Sequence, residues 1–226
     1  GEIEIAPGKE VVIHRFLAVG RSAAEAAGIA KQVRGDAVAT LKVKVTSSGK
    51  PVTTGRVEVP LGKSTVTAFP DAQGELSLQV TPGTFDITAT DIGRPDVKQS
   101  LTLAKDQTVN ATLVMAAASR VVFAIKDDQG RSTPCKAMFE GIDGTPNPDL
   151  GPVMRARGCK DQYHSEKGQF SVQLPAGKYR IRVVRGGEYS SLEQVVNLEQ
   201  GETASFSGVL KRVVSSTGNK QFVNGS

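Results

Sequence analysis

The sequence predicts an all-β chain built as two tandem antiparallel β-sandwich modules, preceded by a short strand-and-helix segment. Three observations carry this. Gly (24) and Pro (11) punctuate many short segments rich in Val, Thr and Ile, while Trp is absent and aromatics make up 5% of the chain, which favours several small cores over one large one. Several of those segments alternate apolar and polar residues, the period-two signature of a half-buried strand. Most telling, residues 71–90 (DAQGELSLQVTPGTFDITAT) recur as residues 165–184 (SEKGQFSVQLPAGKYRIRVV). Gly74 matches Gly168 and Gly83 matches Gly177, both at an offset of 94. A repeat that long is a copied domain, not a solenoid unit.

Taken in chain order, residues 2–5 and 11–18 read as strands joined by a Pro7-Gly8 turn. Ser22-Ala23-Ala24-Glu25 is a capping box that opens an Ala-rich helix running to about Arg34. Two strands and a helix cannot bury a core alone, so residues 1–35 read as the tail of an upstream β-domain plus a short helix. In the first module, 36–115, residues 40–45 (TLKVKV) alternate, Ser48-Gly49-Lys50-Pro51 turns the chain, and residues 56–59 resume the pattern. Leu76, Leu78 and Val80 then share one strand face, Pro82-Gly83 turns, and Phe85, Ile87 and Ala89 return. That is a hairpin whose glycine is free to take positive φ. Residues 98–103 and 108–114 close the module.

The second module, 116–214, repeats this plan with strands at 120–125 and 135–139, a hairpin about Pro175-Ala176-Gly177, and closing strands at 193–198 and 203–210. The glycine offset is 81 at the first turn and 94 at the hairpin, so this copy carries 13 extra residues, placed in a Gly/Pro-rich loop at 141–163. Six or seven strands in roughly 80–100 residues is what a sandwich requires. Residues 215–226 read as a tail.

Composition excludes several classes. The net charge is +5, but the excess is one for residues 1–35, zero for 36–115, three for 116–214 and one for the last twelve. No stretch has the basic stripe with interleaved aromatics that nucleic-acid binding uses. No apolar run reaches the roughly 20 residues of a membrane helix. The chain starts without Met or a leader, which reads as a processed product or a fragment, so targeting is not legible at the N-terminus.

With these residues in view, Asp71-x-x-Gly74 followed by Pro82-Gly83-x-Phe85 resembles the carboxypeptidase-regulatory-like, transthyretin-type sandwich, a common bacterial surface module. The second copy strings together Pro134-x-Lys136-x-x-Phe139, Gly144-Thr145-Pro146-Asn147-Pro148, Leu150-Gly151-Pro152, Gly168-x-Phe170, Gly187-Glu188-Tyr189 and Leu210-Lys211-Arg212-Val213-Val214. It resembles the segment before the catalytic domain of CehA/McbA-type metallohydrolases, and Arg15-Phe16-Leu17-x-Val19-Gly20 is similar to the end of the large β-domain that opens some of them. The resemblance implies an extracytoplasmic location and a downstream PHP-type domain with a His-x-His metal motif. No His-x-His occurs in this chain, so no catalytic residue carries over.

Candidate chemistry is sparse. His14 and His164 lack ligand spacing or a triad partner and read as surface or packing residues. Asp143, Asn147 and Asp149 could offer oxygens to calcium, though Asp, Asn, Gly and Pro in that loop serve turn formation equally well. Lys178, Arg180 and Arg182 share the outward face of one strand, with Arg185 nearby; they form either a patch for an anionic partner or a solvated face that protects against strand pairing. Cys135 and Cys159 form neither a zinc motif nor a CxxC pair, and the expectation is a disulfide stapling the insertion, worth about 3–4 kcal/mol by loop closure, with two free thiols as the rival. Glu188-Tyr189 beside Gly186-Gly187 is poor material for a sugar platform and reads as structural. No pattern asks for a cofactor.

The expected function is therefore structural: a non-catalytic accessory β-sandwich array that spaces or docks an adjacent domain or another protein chain. A cell-surface adhesin or carbohydrate-binding module, with a glycan as partner, is one alternative. A subunit of a surface assembly, using exposed strand edges or N-terminal strand exchange between copies, is the other.

Overall fold

The computed structural model describes residues 4–20, 23–61, 64–155 and 157–214. The chain is all-β with one helix, α1 (Ala23–Val33). Two compact units emerge: one takes the residues up to Thr46 with Pro51–Ala89 and Lys98–Leu113, the other takes Ser47–Lys50, Thr90–Val97 and the residues from Val114 on.

The first sandwich is built from β1 (Ala39–Ser47), β2 (Lys50–Pro51), β3 (Arg56–Leu61), β4 (Ser64–Ala68), β5 (Glu75–Val80), β6 (Gly83–Thr90), β7 (Val97–Leu103) and β8 (Thr108–Val114). One sheet places β1 between β5 and β8, with the short β2 also on β1; the other runs β4-β3-β6-β7. Period-two alternation puts Leu41, Val43 and Val45 of β1 inward, and Val57, Val59, Ile87, Ala89, Leu101 and Leu103 from the other sheet are likewise buried. This core is aliphatic.

The second sandwich comprises β9 (Arg120–Asp127), β10 (Cys135–Gly141), β11 (Gly158–Cys159), β12 (Gln162–Ser165), β13 (Gln169–Gln173), β14 (Gly177–Val184), β15 (Leu192–Leu198) and β16 (Thr203–Leu210). Its sheets run β13-β9-β16 and β11-β12-β10-β14-β15. The common frame is plain: β5-β1-β8 matches β13-β9-β16, and β3-β6-β7 matches β10-β14-β15. The β9–β16 pairing departs from the antiparallel rule, since β16 runs parallel to β9 over Thr203–Leu210. First and last strands of a module can do this because the rest of the module is their crossover connection. The 141–163 insertion does not stay a loop to its end: β11 and β12 form a hairpin that widens one sheet.

The repeat glycines explain the shared frame. The Val45 N–H donates to the Gly74 carbonyl at 2.8 Å, and the Ile125 N–H donates to the Gly168 carbonyl at 2.8 Å. A Cβ on Gly74 would lie 2.6 Å from the Val45 carbonyl oxygen, and one on Gly168 only 1.9 Å from that of Ile125. In both copies the turn before β5 or β13 must press its backbone against the first strand, and only glycine permits that approach. Neither expected hairpin forms: β5 pairs with β1 and β13 with β9, while β6 and β14 join the opposite sheets, so each Pro/Gly turn carries the chain across the sandwich instead of back along one sheet.

The N-terminal expectation needs correcting. Residues 11–18 do not form a strand: residues 4–20 lie outside every sheet, and only the Pro7-Gly8 turn is present, with Lys9 N–H donating to Ala6 at 3.0 Å and Gly8 at φ 75°. A β-branched segment with no strand beside it has no ladder to join. Part of the 2–5 strand and Ser22 of the capping box lie outside the described residues. The helix end is well defined. Gly35 at φ 75° donates to Gln32, and Asp36 N–H donates to Lys31, both at 3.0 Å, which closes a Schellman cap.

Candidate functional site

The basic patch is a ladder of ion pairs. Register places Glu140 opposite Arg180 on β10 and β14, and Arg182 opposite Glu193 on β14 and β15. Arg180 meets Glu140 at 2.7 Å and Glu193 at 3.7 Å, Arg182 meets Glu193 at 3.1 Å, and Lys178 meets Asp143 at 2.7 Å. The hydrogen bond that Arg180 donates to Glu140 raises its already high pKa further, and the hydrogen bond from Lys178 lowers that of Asp143. Arg185 bonds the Thr133 hydroxyl and lies 4.5 Å over the Tyr189 ring. All four cations thus have protein partners. Sequence reasoning saw the cations but missed their carboxylates, because Glu140 and Glu193 join them only through sheet register.

The loop candidates are also engaged. Asn147 Oδ1 accepts from Gly141 N–H at 2.8 Å, Asp149 Oδ1 accepts from Gly151 N–H at 3.1 Å, and Asp143 faces Lys178. These bonds fold the loop back on its own backbone, the turn-forming role of Asp and Asn. Among the described residues no three His, Cys, Asp or Glu side chains gather as a metal site would need.

The expected disulfide is absent: both cysteines are free. Cys135 pairs with Ser165 on β12, and Cys159 pairs with Gln162 on that strand's other edge. Two inter-strand steps of about 4.8 Å and a three-residue offset separate their Cα atoms by well over the roughly 7 Å a disulfide spans. Burial pushes the Cys135 thiol up to about 11, against the opposing pull of Arg185, so it stays protonated at neutral pH.

Tyr189 has a structural setting. Arg185 and Arg212 both stack on its ring, Glu188 pairs with Arg212 at 2.8 Å, and Tyr189 bridges Arg212 across a short antiparallel contact. His164 sits opposite Lys136 in the β10–β12 ladder, and His14 lies in the exposed N-terminal segment.

One surface escaped the sequence reading. On the first unit, a groove of about 740 Å³ lies over the outer face of the β5-β1-β8 sheet, beside α1. The helix can lie close because Gly28 has no side chain: a Cβ there would stand 2.4 Å from that of Gln79. Lys31 adds a 2.8 Å bond to Thr81. Lys42, Lys44, Ser77, Gln79, Asn110 and Thr112 line the groove, and Phe69, 71% exposed, stands beside them. The sequence signal was a lone aromatic before Pro70-Asp71, which carries no periodicity to announce its exposure.

No family model matches the chain, and no curated protein matches it. Solved structures similar to it include a streptococcal ancillary pilin (16% identity, 78% of this chain and 62% of that one, TM-score 0.39) and the shaft pilin SpaA of Lactobacillus rhamnosus GG (9%, 79% and 99%, TM-score 0.38). The Bacillus anthracis TIE protein is similar at 15% identity, with 79% of this chain covered and a TM-score of 0.35. The chain spans about a third of the TIE protein's length, 34%.

Proposed function

We propose that the chain is a non-catalytic accessory β-sandwich array that docks or spaces a partner domain within a larger extracytoplasmic protein. The observation that carries this reading is the N-terminal segment. Val12, Ile13, Leu17 and Val19 are 63%, 60%, 89% and 76% exposed, and Val11 and Phe16 are exposed with them. In an extended chain Val11, Ile13, Leu17 and Val19 point to one side and Val12 and Phe16 to the other. A strand apolar on both faces belongs inside a covered sheet, not on a solvent edge. Each such side chain contributes about 1.5–3 kcal/mol when buried, so the segment can hold a domain in place. The metallohydrolase-like resemblance supplies the kind of parent: a β-domain that receives this strand and a metal-dependent catalytic domain beyond the second module.

Hydrogen exchange on the natural gene product tests the reading. Amides 11–19 should be protected for minutes or longer there, as in a paired strand. Exchange as fast as in an unstructured peptide would contradict it. If the chain alone forms concentration-dependent oligomers in light scattering and protects those amides, the partner is a second copy and the assembly-subunit reading replaces this one.

A further inference from the structure

We infer that the groove beside α1 is a binding site for a neutral oligosaccharide, which goes beyond the docking role proposed above. The groove's size, about 740 Å³, lies within the range of small-ligand sites. Its chemistry is more telling. Of its charged side chains, Lys44 pairs with Glu75 at 2.9 Å, and the Asp71 carboxylate accepts the N–H groups of Gln73 and Glu75 at 2.9 Å each; Glu25 and Lys42 also line it. With Glu25, Asp71 and Glu75 against Lys42 and Lys44, the lining carries a net charge of −1, which gives an anion no net attraction.

The other polar groups of the lining are uncharged. The Ser77 and Thr112 hydroxyls and the Asn110 amide project from exposed positions on β5 and β8, and no protein partner engages them among the described residues. Gln79 donates to Thr40 at 3.1 Å, which leaves its amide oxygen and second N–H available. Paired amide donors and acceptors with hydroxyls match the alternating hydroxyl groups of a sugar. Phe69 supplies an aromatic face for the sugar's C–H side. A peptide strand would seek a free sheet edge, whereas these groups stand on a sheet face.

A printed array of neutral and anionic glycans, read with the intact chain and with its Phe69→Ala and Asn110→Ala variants, tests the site. Both side chains are exposed, so the variants should unfold at the parent temperature. At least one neutral glycan class should bind, and Phe69→Ala should weaken it about tenfold, the equivalent of one lost stacking contact. Amide shifts at Gln79 and Asn110 on titration with that glycan would locate it in the groove. The assignment is overturned if no neutral glycan binds above background, if binding survives both substitutions, or if only anionic glycans bind. None of these outcomes bears on exchange at residues 11–19, so the docking role and this site stand or fall separately.

Discussion

The two sandwiches share a frame and differ in what fills and covers it. The frame is the close approach of Gly74 to Val45 and of Gly168 to Ile125, with the same strand order around it. Even the turn chemistry is matched by a different residue: Asp71 Oδ1 accepts from Gln73 N–H, and at the aligned position the Ser165 hydroxyl accepts from Lys167 N–H at 3.2 Å. The cores diverge. Phe85 of the first module is half-buried, while its counterpart Tyr179 is fully buried and donates its hydroxyl to Pro175 at 3.0 Å. Phe123 contacts Phe139, Phe170 and Phe206 in the second module, an aromatic cluster that the first lacks among its described buried residues. The outer faces diverge too. The second module closes its β10-β14-β15 face with ion pairs, while the first leaves hydroxyls and amides open beside α1. Backbone contacts thus preserve the duplicated fold, and side chains are free to make one copy stiff and the other receptive.

The largest test of the shared frame is alanine at its glycines. Gly168→Ala, which drives a Cβ into the Ile125 carbonyl, should cost more than about 4 kcal/mol or abolish folding of the second module in denaturant titrations. Gly74→Ala should cost roughly 2–4 kcal/mol, combining a lesser clash with its φ of 75°. A neutral effect at either site would break the equivalence. The difference in cores predicts an asymmetry next. Tyr179→Ala should destabilise by about 3–5 kcal/mol and Phe85→Ala by about half as much, compared by urea unfolding at constant m-value.

A pH effect is expected in the second module. Burial works to raise the Asp127 carboxyl, but the N–H groups of Arg131 and Gln129 and the Arg131 guanidinium outweigh it and hold its pKa below the usual value. Its stabilisation is therefore complete above the unfolded carboxylate value, about 3.9, and is lost as pH falls through the lower folded value. Asp127→Asn should flatten the acid side of the stability profile of that module. The smallest effect belongs to the ion-pair ladder: Glu193→Gln should cost about 1 kcal/mol or less, and less again at high salt, since its partners are exposed.

Much of this was legible in the residues. The repeat, the strands on either side of each Pro/Gly turn and the position of the insertion followed from glycine spacing and period-two alternation, because those signals are local. The pairing of those strands as hairpins did not follow, because a tight turn does not say whether the chain stays in one sheet or crosses to the other. The contents of the sites were not. Cys135 and Cys159 are 24 positions apart in sequence, yet β12 comes between them in the sheet, so only register shows that they cannot bond. Arg180 and Arg182 looked unpartnered until Glu140 and Glu193 arrived from neighbouring strands. Residues 11–18 carry true strand composition, but pairing needs a second strand, which composition alone does not supply. The groove beside α1 depends on Gly28 meeting Gln79, a contact between a helix and a strand 51 residues away.

Native-state hydrogen exchange on the intact chain tests most directly the claim that one frame was given two different stiffnesses. The amides at the centres of β9 and β14 should open with a higher free energy than those of β1 and β6, reflecting the aromatic core and the ion-pair ladder. Equal opening free energies in the two modules, or slower exchange in β1 and β6, would contradict it.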